Sequence, residues 1–188
     1  MLVSLGLSSR GVGAVRFAPA KTKIDAATYM DIVENTYLPE AMDMYGVPPT
    51  CVFQQDGASS HAAKVVQAFC AAKFPKFWAK GVWPPNSPDL NVLDFFAWGH
   101  LQAEVDKKKP QCLESLKVAI RQAVRDMPLD MVQRACRSFG KRAKLCIQAE
   151  GGSFKGKKLA AEDEPLLDNE VRNEGDEDGE SDDEGSEP

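Results

Sequence analysis

The chain has 188 residues, 43% of them hydrophobic, which is enough for one domain with a buried core, and no apolar stretch is long enough to span a membrane. Its net charge of −5 hides two opposite parts: residues 161–188 hold fourteen Asp/Glu against one Arg, a net of −13, so the first 160 residues carry +8. A basic body suits a polyanionic partner, and an ordinary basic domain with a solubilising tail has the same composition.

Met1 to Leu7 is apolar but lacks a basic lead-in and a cleavage site, so it reads as a strand rather than a signal peptide. Cys51, Cys70, Cys112, Cys136 and Cys146 are odd in number and have no close pairs, which points to buried, reduced thiols rather than disulfides or zinc. The expected location is nuclear or cytoplasmic, not secreted.

In chain order, Leu2 to Leu7 and Ala14 to Ala18 read as an antiparallel hairpin turning at Ser8-Ser9-Arg10-Gly11. Asp25 is a candidate helix cap, with Ile24 and Tyr29 placed to form a hydrophobic staple. Tyr29, Ile32, Val33 and Tyr37 keep helical period until Pro39, which breaks or kinks the run; a shorter helical segment then reaches Gly46. Thr50 to Gln54 is a strand that delivers Asp56, followed by the turn signal Asp56-Gly57. Ser59 or Ser60 is the expected cap of a helix whose apolar face is Ala62, Val65, Val66, Phe69 and Cys70. His61 at its start reads as a capping or packing residue before a catalytic base. Lys76 to Trp78 is the last expected strand.

The run Trp83 to Trp98 reads as a loop that launches a helix, with Ser87 as N-cap, Pro88 at the first helical position and Asp89 near the positive end. Asp94 then falls about two turns inside, separated from Asp56 by 37 residues. Carboxylates delivered from two different rigid elements are what a hard divalent cation needs for phosphodiester chemistry. Taken singly, an Asp before Gly is more often a turn residue and a helical Asp a solvated one. Phe95, Phe96 and Trp98 read as core.

Two amphipathic helices follow, one through Leu113, Leu116, Ile120, Ala123, Val124 and Met127, the other through Val132, Ala135, Cys136, Phe139, Ala143 and Cys146. Arg134, Arg137, Lys141 and Lys144 line the second helix's other side, as a solvated face or as a stripe for phosphates. Lys155, Lys157 and Lys158 follow Gly151-Gly152. From about Leu159 the acidic composition predicts disorder, so the expected division is a folded 1–158 and a tail 159–188.

Two blocks carry a family resemblance. Gln55, Asp56, Gly57, Ala58 and His61, then Trp83, Pro84, Ser87, Pro88, Asp89, Leu90, Asn91 and Asp94, stand in the order and spacing of the second and third blocks of mariner-superfamily DDE/DDD transposases, with Ser59 replacing the usual proline. The resemblance covers roughly residues 1–154. It implies a ribonuclease-H-like α/β fold, a mixed sheet of antiparallel then parallel strands with flanking helices. It also implies Asp56 and Asp94 as catalytic ligands of Mg²⁺ or Mn²⁺, DNA as partner, and transposition by two-metal phosphoryl transfer; a homodimer is compatible with it.

The family's first catalytic Asp lies on a central strand ahead of the hairpin, and here no Asp or Glu precedes Asp25. The expectation is therefore a partial catalytic domain, inactive by itself, with either two exposed strand edges or direct pairing of the strands that flank the gap. Two other readings stand beside it: a non-catalytic nucleic-acid-binding module, and a scaffold whose acidic tail binds basic proteins or its own basic body.

Overall fold

The computed structural model describes residues 1–18, 24–152 and 154. The chain divides into two compact units, Met1–Ala143 and Lys144–Pro188. The expected boundary at 158/159 and the tail lie outside the described residues.

The first unit opens with β1 (Leu2–Ser4), β2 (Leu7–Ser8), β3 (Gly11–Val12) and β4 (Arg16–Ala18). The predicted hairpin is present, but as two ladders: β1 pairs with β4 and β2 with β3, both antiparallel. Between them the Gly13 amide donates to the Gly6 carbonyl at 2.9 Å, which keeps the arms in register. A Cβ on Gly13 would lie 2.1 Å from the Glu40 carboxylate, whose other oxygen accepts from the Ala14 amide at 2.8 Å. A side chain at position 13 would have to displace that carboxylate.

Asp25 caps α1 (Ala26–Ile32) by accepting from the Thr28 amide at 2.8 Å, and these contacts hold its carboxyl below the ordinary range. Pro39 does not stop the helix. A π-helical turn, Val33–Tyr37, precedes α2 (Leu38–Tyr45), and the Leu38 amide bonds the Val33 carbonyl five residues back. A proline clashes with the preceding turn and donates no bond; the widened turn gives its ring room.

Then come β5 (Val52–Phe53), α3 (Lys64–Lys73) and β6 (Lys76–Phe77), with β5 and β6 parallel. Helix α3 begins later than predicted: Ala63, not Ser59 or Ser60, is its cap residue, and no side chain caps it. Residues 59–63 form turns instead, because the Asp56 corner takes them up. Val65 is 54% exposed, so only Val66 and Cys70 of the expected face are buried. A second π-helical turn (Leu93–Ala97) leads into α4 (Trp98–Lys108), followed by α5 (Leu113–Arg125) and α6 (Leu129–Gln148).

Antiparallel pairing followed by parallel pairing is the predicted mixed pattern. The ladders are not joined into one sheet, and the flanking strands do not close up by pairing with each other. No strand among the described residues lies between them to supply the bonds. Instead, each packs with helices in its own apolar cluster. Tyr29, Val33 and Leu38 pack with Val66, Cys70 and Phe74, and Phe53 of β5 stacks on Phe74 at 4.2 Å. Leu5 packs with Leu101, Val105, Ala119, Ala123, Met127 and Val132.

Of the five cysteines, all free, only Cys70 is buried, and burial pushes its thiol up to about 11. Cys112, against the expectation of buried thiols, is exposed and caps α5 in a reciprocal pair with Ser115. No helix among the described residues is long and apolar enough to cross a membrane.

Candidate metal centre and nucleic-acid interface

Asp56 stands three residues past β5, at a corner fixed by side chains. Its Oδ1 accepts from the Ala58 amide at 3.1 Å and lies 2.7 Å from His61 Nδ1. This last approach is a close contact without the alignment of a hydrogen bond, since the buried His61 Nδ1 has no aligned partner. The His61 ring packs on Tyr29 with centroids 4.0 Å apart. Gln55 ties the corner twice, accepting from the Tyr29 hydroxyl at 2.8 Å and donating to the His61 carbonyl at 3.1 Å. Gln67 donates to the same carbonyl at 2.9 Å. His61 is therefore a packing residue on the acid, not a helix cap. Its contact, with the Ala58 amide, holds the Asp56 carboxyl below the ordinary carboxylate range even though burial opposes this.

Asp94 is placed differently from the prediction. Ser87 caps nothing; its hydroxyl turns back to the Pro84 carbonyl, and residues 87–90 form a turn closed by the Leu90 amide on the Ser87 carbonyl at 3.1 Å. Burial of Leu90 seats that turn. The helix starts after Asn91, whose side chain accepts from the Leu93 amide at 3.2 Å and whose carbonyl accepts from the amides of Asp94 and Phe95. Asp94 thus sits in the first turn, not two turns inside. The π-helical opening follows from the same place, the Trp98 amide reaching back to the Leu93 carbonyl.

Both acids are exposed to solvent. Partial burial, and then the charge of Asp56, push the Asp94 carboxyl above its ordinary value. The carboxyls are thus near enough to repel. Two hard oxygen ligands, one raised in part by the other's charge, are a donor set that suits Mg²⁺ or Mn²⁺, which would neutralise both. Among the described residues no cluster of three or more His, Cys, Asp or Glu is placed to hold a metal ion.

The motif loop is anchored on α6. Trp83 stacks between Trp78 and Phe139, at 5.8 and 5.9 Å. Arg142 extends its guanidinium over the Phe95 ring at 3.7 Å and donates to the Asp89 carbonyl at 2.9 Å. This residue was missed in the sequence, where only the outward stripe drew attention. The signal was there: 142 continues the core-facing series Ala135 and Phe139, where an arginine is out of place.

On the outward face Arg134, Arg137 and Lys141 are exposed and Lys144 is half-covered. Arg134 pairs with Asp130 one turn earlier, so Arg137 and Lys141 are the better-placed cations for an outside anion. Phe95, Phe96 and Trp98 are half-buried, as core residues of a helix start should be.

No protein-family model and no curated protein matches the sequence. Among solved structures, the chain is similar to the Mos1 transposase catalytic domain with Raltegravir and Mn, with 19% identity and a TM-score of 0.65, over 81% of this chain and 76% of that one. The catalytic domain of Mos1 mariner transposase gives 20% identity and 0.63, over 81% and 74%. A pre-cleavage Mos1 transpososome gives 17% and 0.68, over 81% of this chain but only 44% of that one. At such identities the likeness speaks for the fold. The chain therefore has the ribonuclease-H-like fold of the mariner transposase catalytic domain.

Proposed function

We propose that these residues form the part of a mariner-type transposase catalytic domain that carries its second and third acids, Asp56 and Asp94, as ligands of the divalent cation used to cut and join DNA strands. The observation that carries this reading is the influence of the Asp56 charge on the Asp94 carboxyl, two acids with 37 residues between them in two motif blocks. The Mos1 neighbours support it: their structures include complexes with Mn, with Mg and with a left transposon end. A bound Mg²⁺ or Mn²⁺ supplies Lewis-acid stabilisation of charge on a phosphodiester. The chain's own share is to hold the ligands: the Tyr29–Gln55–His61 network orients Asp56, and the Asn91 cap orients Asp94.

Arg137 and Lys141, with Arg134 and Lys144, are proposed to contact the DNA backbone. Such contacts are sequence-independent and weaken steeply with salt. A chain that acts on chromosomal DNA belongs in the nucleus. Two acids hold a divalent ion weakly and orient it poorly, so these 188 residues by themselves are proposed to bind DNA without cutting it. Non-catalytic DNA binding is thus the state expected of the isolated chain.

The test is nicking of supercoiled plasmid in Mg²⁺ or Mn²⁺, with Asp56→Ala and Asp94→Ala beside the wild type. Salt-sensitive binding without nicking is expected. Nicking abolished by both substitutions would mean that a third ligand is recruited and the inactivity is wrong. A folded chain that neither binds nor nicks DNA would overturn the reading.

A further inference from the structure

We infer that Arg142 is the positioning residue of the Asp94 turn, fixing it to α6 from both flanks at once. Five residues before Asp94 the guanidinium takes the Asp89 carbonyl, and one residue after it the same group covers the Phe95 ring. Asp94 therefore lies between two points held by a single rigid, planar group. The turn needs such a brace. It opens with a π-helical turn, whose bonds are wider than those of an α-helix, and its cap is one Asn91 side chain. Asp94 also carries repulsion from Asp56, which tends to drive it away.

Arginine suits this post and lysine does not. A planar guanidinium can lie flat on a ring while an edge N–H donates in its own plane, whereas an ammonium is a point charge that does one or the other well. Arg142 is partly buried, so both contacts are shielded from bulk water and worth more than at the surface. The carboxyl itself is not touched by Arg142. The residue acts on the position of Asp94, not on its chemistry.

The consequence for the cation site rests on the function proposed above; the brace itself does not. Amide hydrogen exchange on the whole 188-residue chain tests the brace without any metal. In Arg142→Ala, the amides of Leu93, Asp94 and Phe95 should exchange about tenfold faster or more, in line with loss of a charged hydrogen bond and a cation–π contact. The amides of Ala119 and Ala123 in α5 should not change. Arg142→Lys should recover part of the protection. Phe95→Leu, which removes the ring face but keeps apolar bulk, should reproduce part of the loss and serves if Arg142→Ala fails to fold.

Unchanged exchange at 93–95 in a folded Arg142→Ala chain, or equal acceleration throughout, would overturn the inference. A parallel Mn²⁺ titration separates the two levels. Weaker Mn²⁺ binding in Arg142→Ala, by several-fold, supports the brace as a determinant of the site. A wild-type chain that binds no Mn²⁺ while its exchange behaves as expected would sink the cation-site reading and leave Arg142 as the brace of this turn.

Discussion

The two acids are held by opposite strategies. Asp56 is fixed from nearby: a strand end, an Ala58 amide two residues on, and His61 five residues on, with Tyr29 and Gln67 brought from farther away. Asp94 is fixed from a distance. Its own segment supplies a single cap, and the loop ahead of it depends on Trp83 and Arg142 contacts to α6, some fifty residues later. A carboxylate set in a local network is lowered and stabilised; one held out on a braced turn is raised, by partial burial first and then by its neighbour's charge. Local chemistry makes an anchored ligand, and tertiary packing brings the second one to it.

The largest effect should come from removing the platform under Asp56. Phe74 is 1% exposed and stacks on Phe53 of β5, so Phe74→Ala should cost about 3–5 kcal/mol by denaturant unfolding. A loss below about 1 kcal/mol would mean that the strand delivering Asp56 does not depend on this stack.

Tyr29→Phe is gentler. It removes only the hydrogen bond to Gln55 and should cost about 1 kcal/mol, with the helix unchanged by circular dichroism. A neutral result would show that Gln55 finds another partner and that the network is redundant.

The carboxyls should differ in sign. Asp56 is lowered when folded, so its contribution is present above its ordinary value of 3.8 and is lost as pH falls through the folded value. Asp94 is raised, so its contribution is full below 3.8 and is lost as pH rises through the folded value; ionised at neutral pH, it costs stability. At pH 7 Asp56→Asn should destabilise and Asp94→Asn should stabilise, each by less than about 1 kcal/mol after allowance for solvent screening. Shifts of the same sign in the two denaturation midpoints would contradict the repulsion between them.

The smallest effect belongs to the outward face of α6. Arg137→Ala and Lys141→Ala should each lower the slope of log affinity against log salt by about 1, read by fluorescence anisotropy with duplex DNA. Arg134→Ala should change it less, because Asp130 already pairs with Arg134.

The contrast between the acids also explains what could be read from the sequence. The elements around Asp56 were legible because local rules govern them: the Asp25 cap and the strands near Val52 and Lys76 formed. The Asp94 turn was misread because its local signals were good but not decisive. Ser87-Pro88-Asp89 has the chemistry of a helix start, yet burial of Leu90 and the pull of Arg142 on the Asp89 carbonyl keep those residues as a turn and move the start to Asn91. At Pro39, read as a break or a kink, the helix runs on because a widened turn absorbs what would otherwise be a break. Ser59 and Ser60 lost their cap role to the Asp56 corner. At the Asp94 turn a tertiary contact overrode a sound local preference, while at Ser59 and Ser60 a competing local arrangement did.

The most direct test of the account is a Mn²⁺ titration of the whole chain, followed by electron paramagnetic resonance, with Asp56→Ala, Asp94→Ala and the cap variant Asp25→Ala. The account predicts one weak site lost with either of the first two and untouched by the third. Binding that survives both Asp56→Ala and Asp94→Ala would show that the two acids do not share an ion.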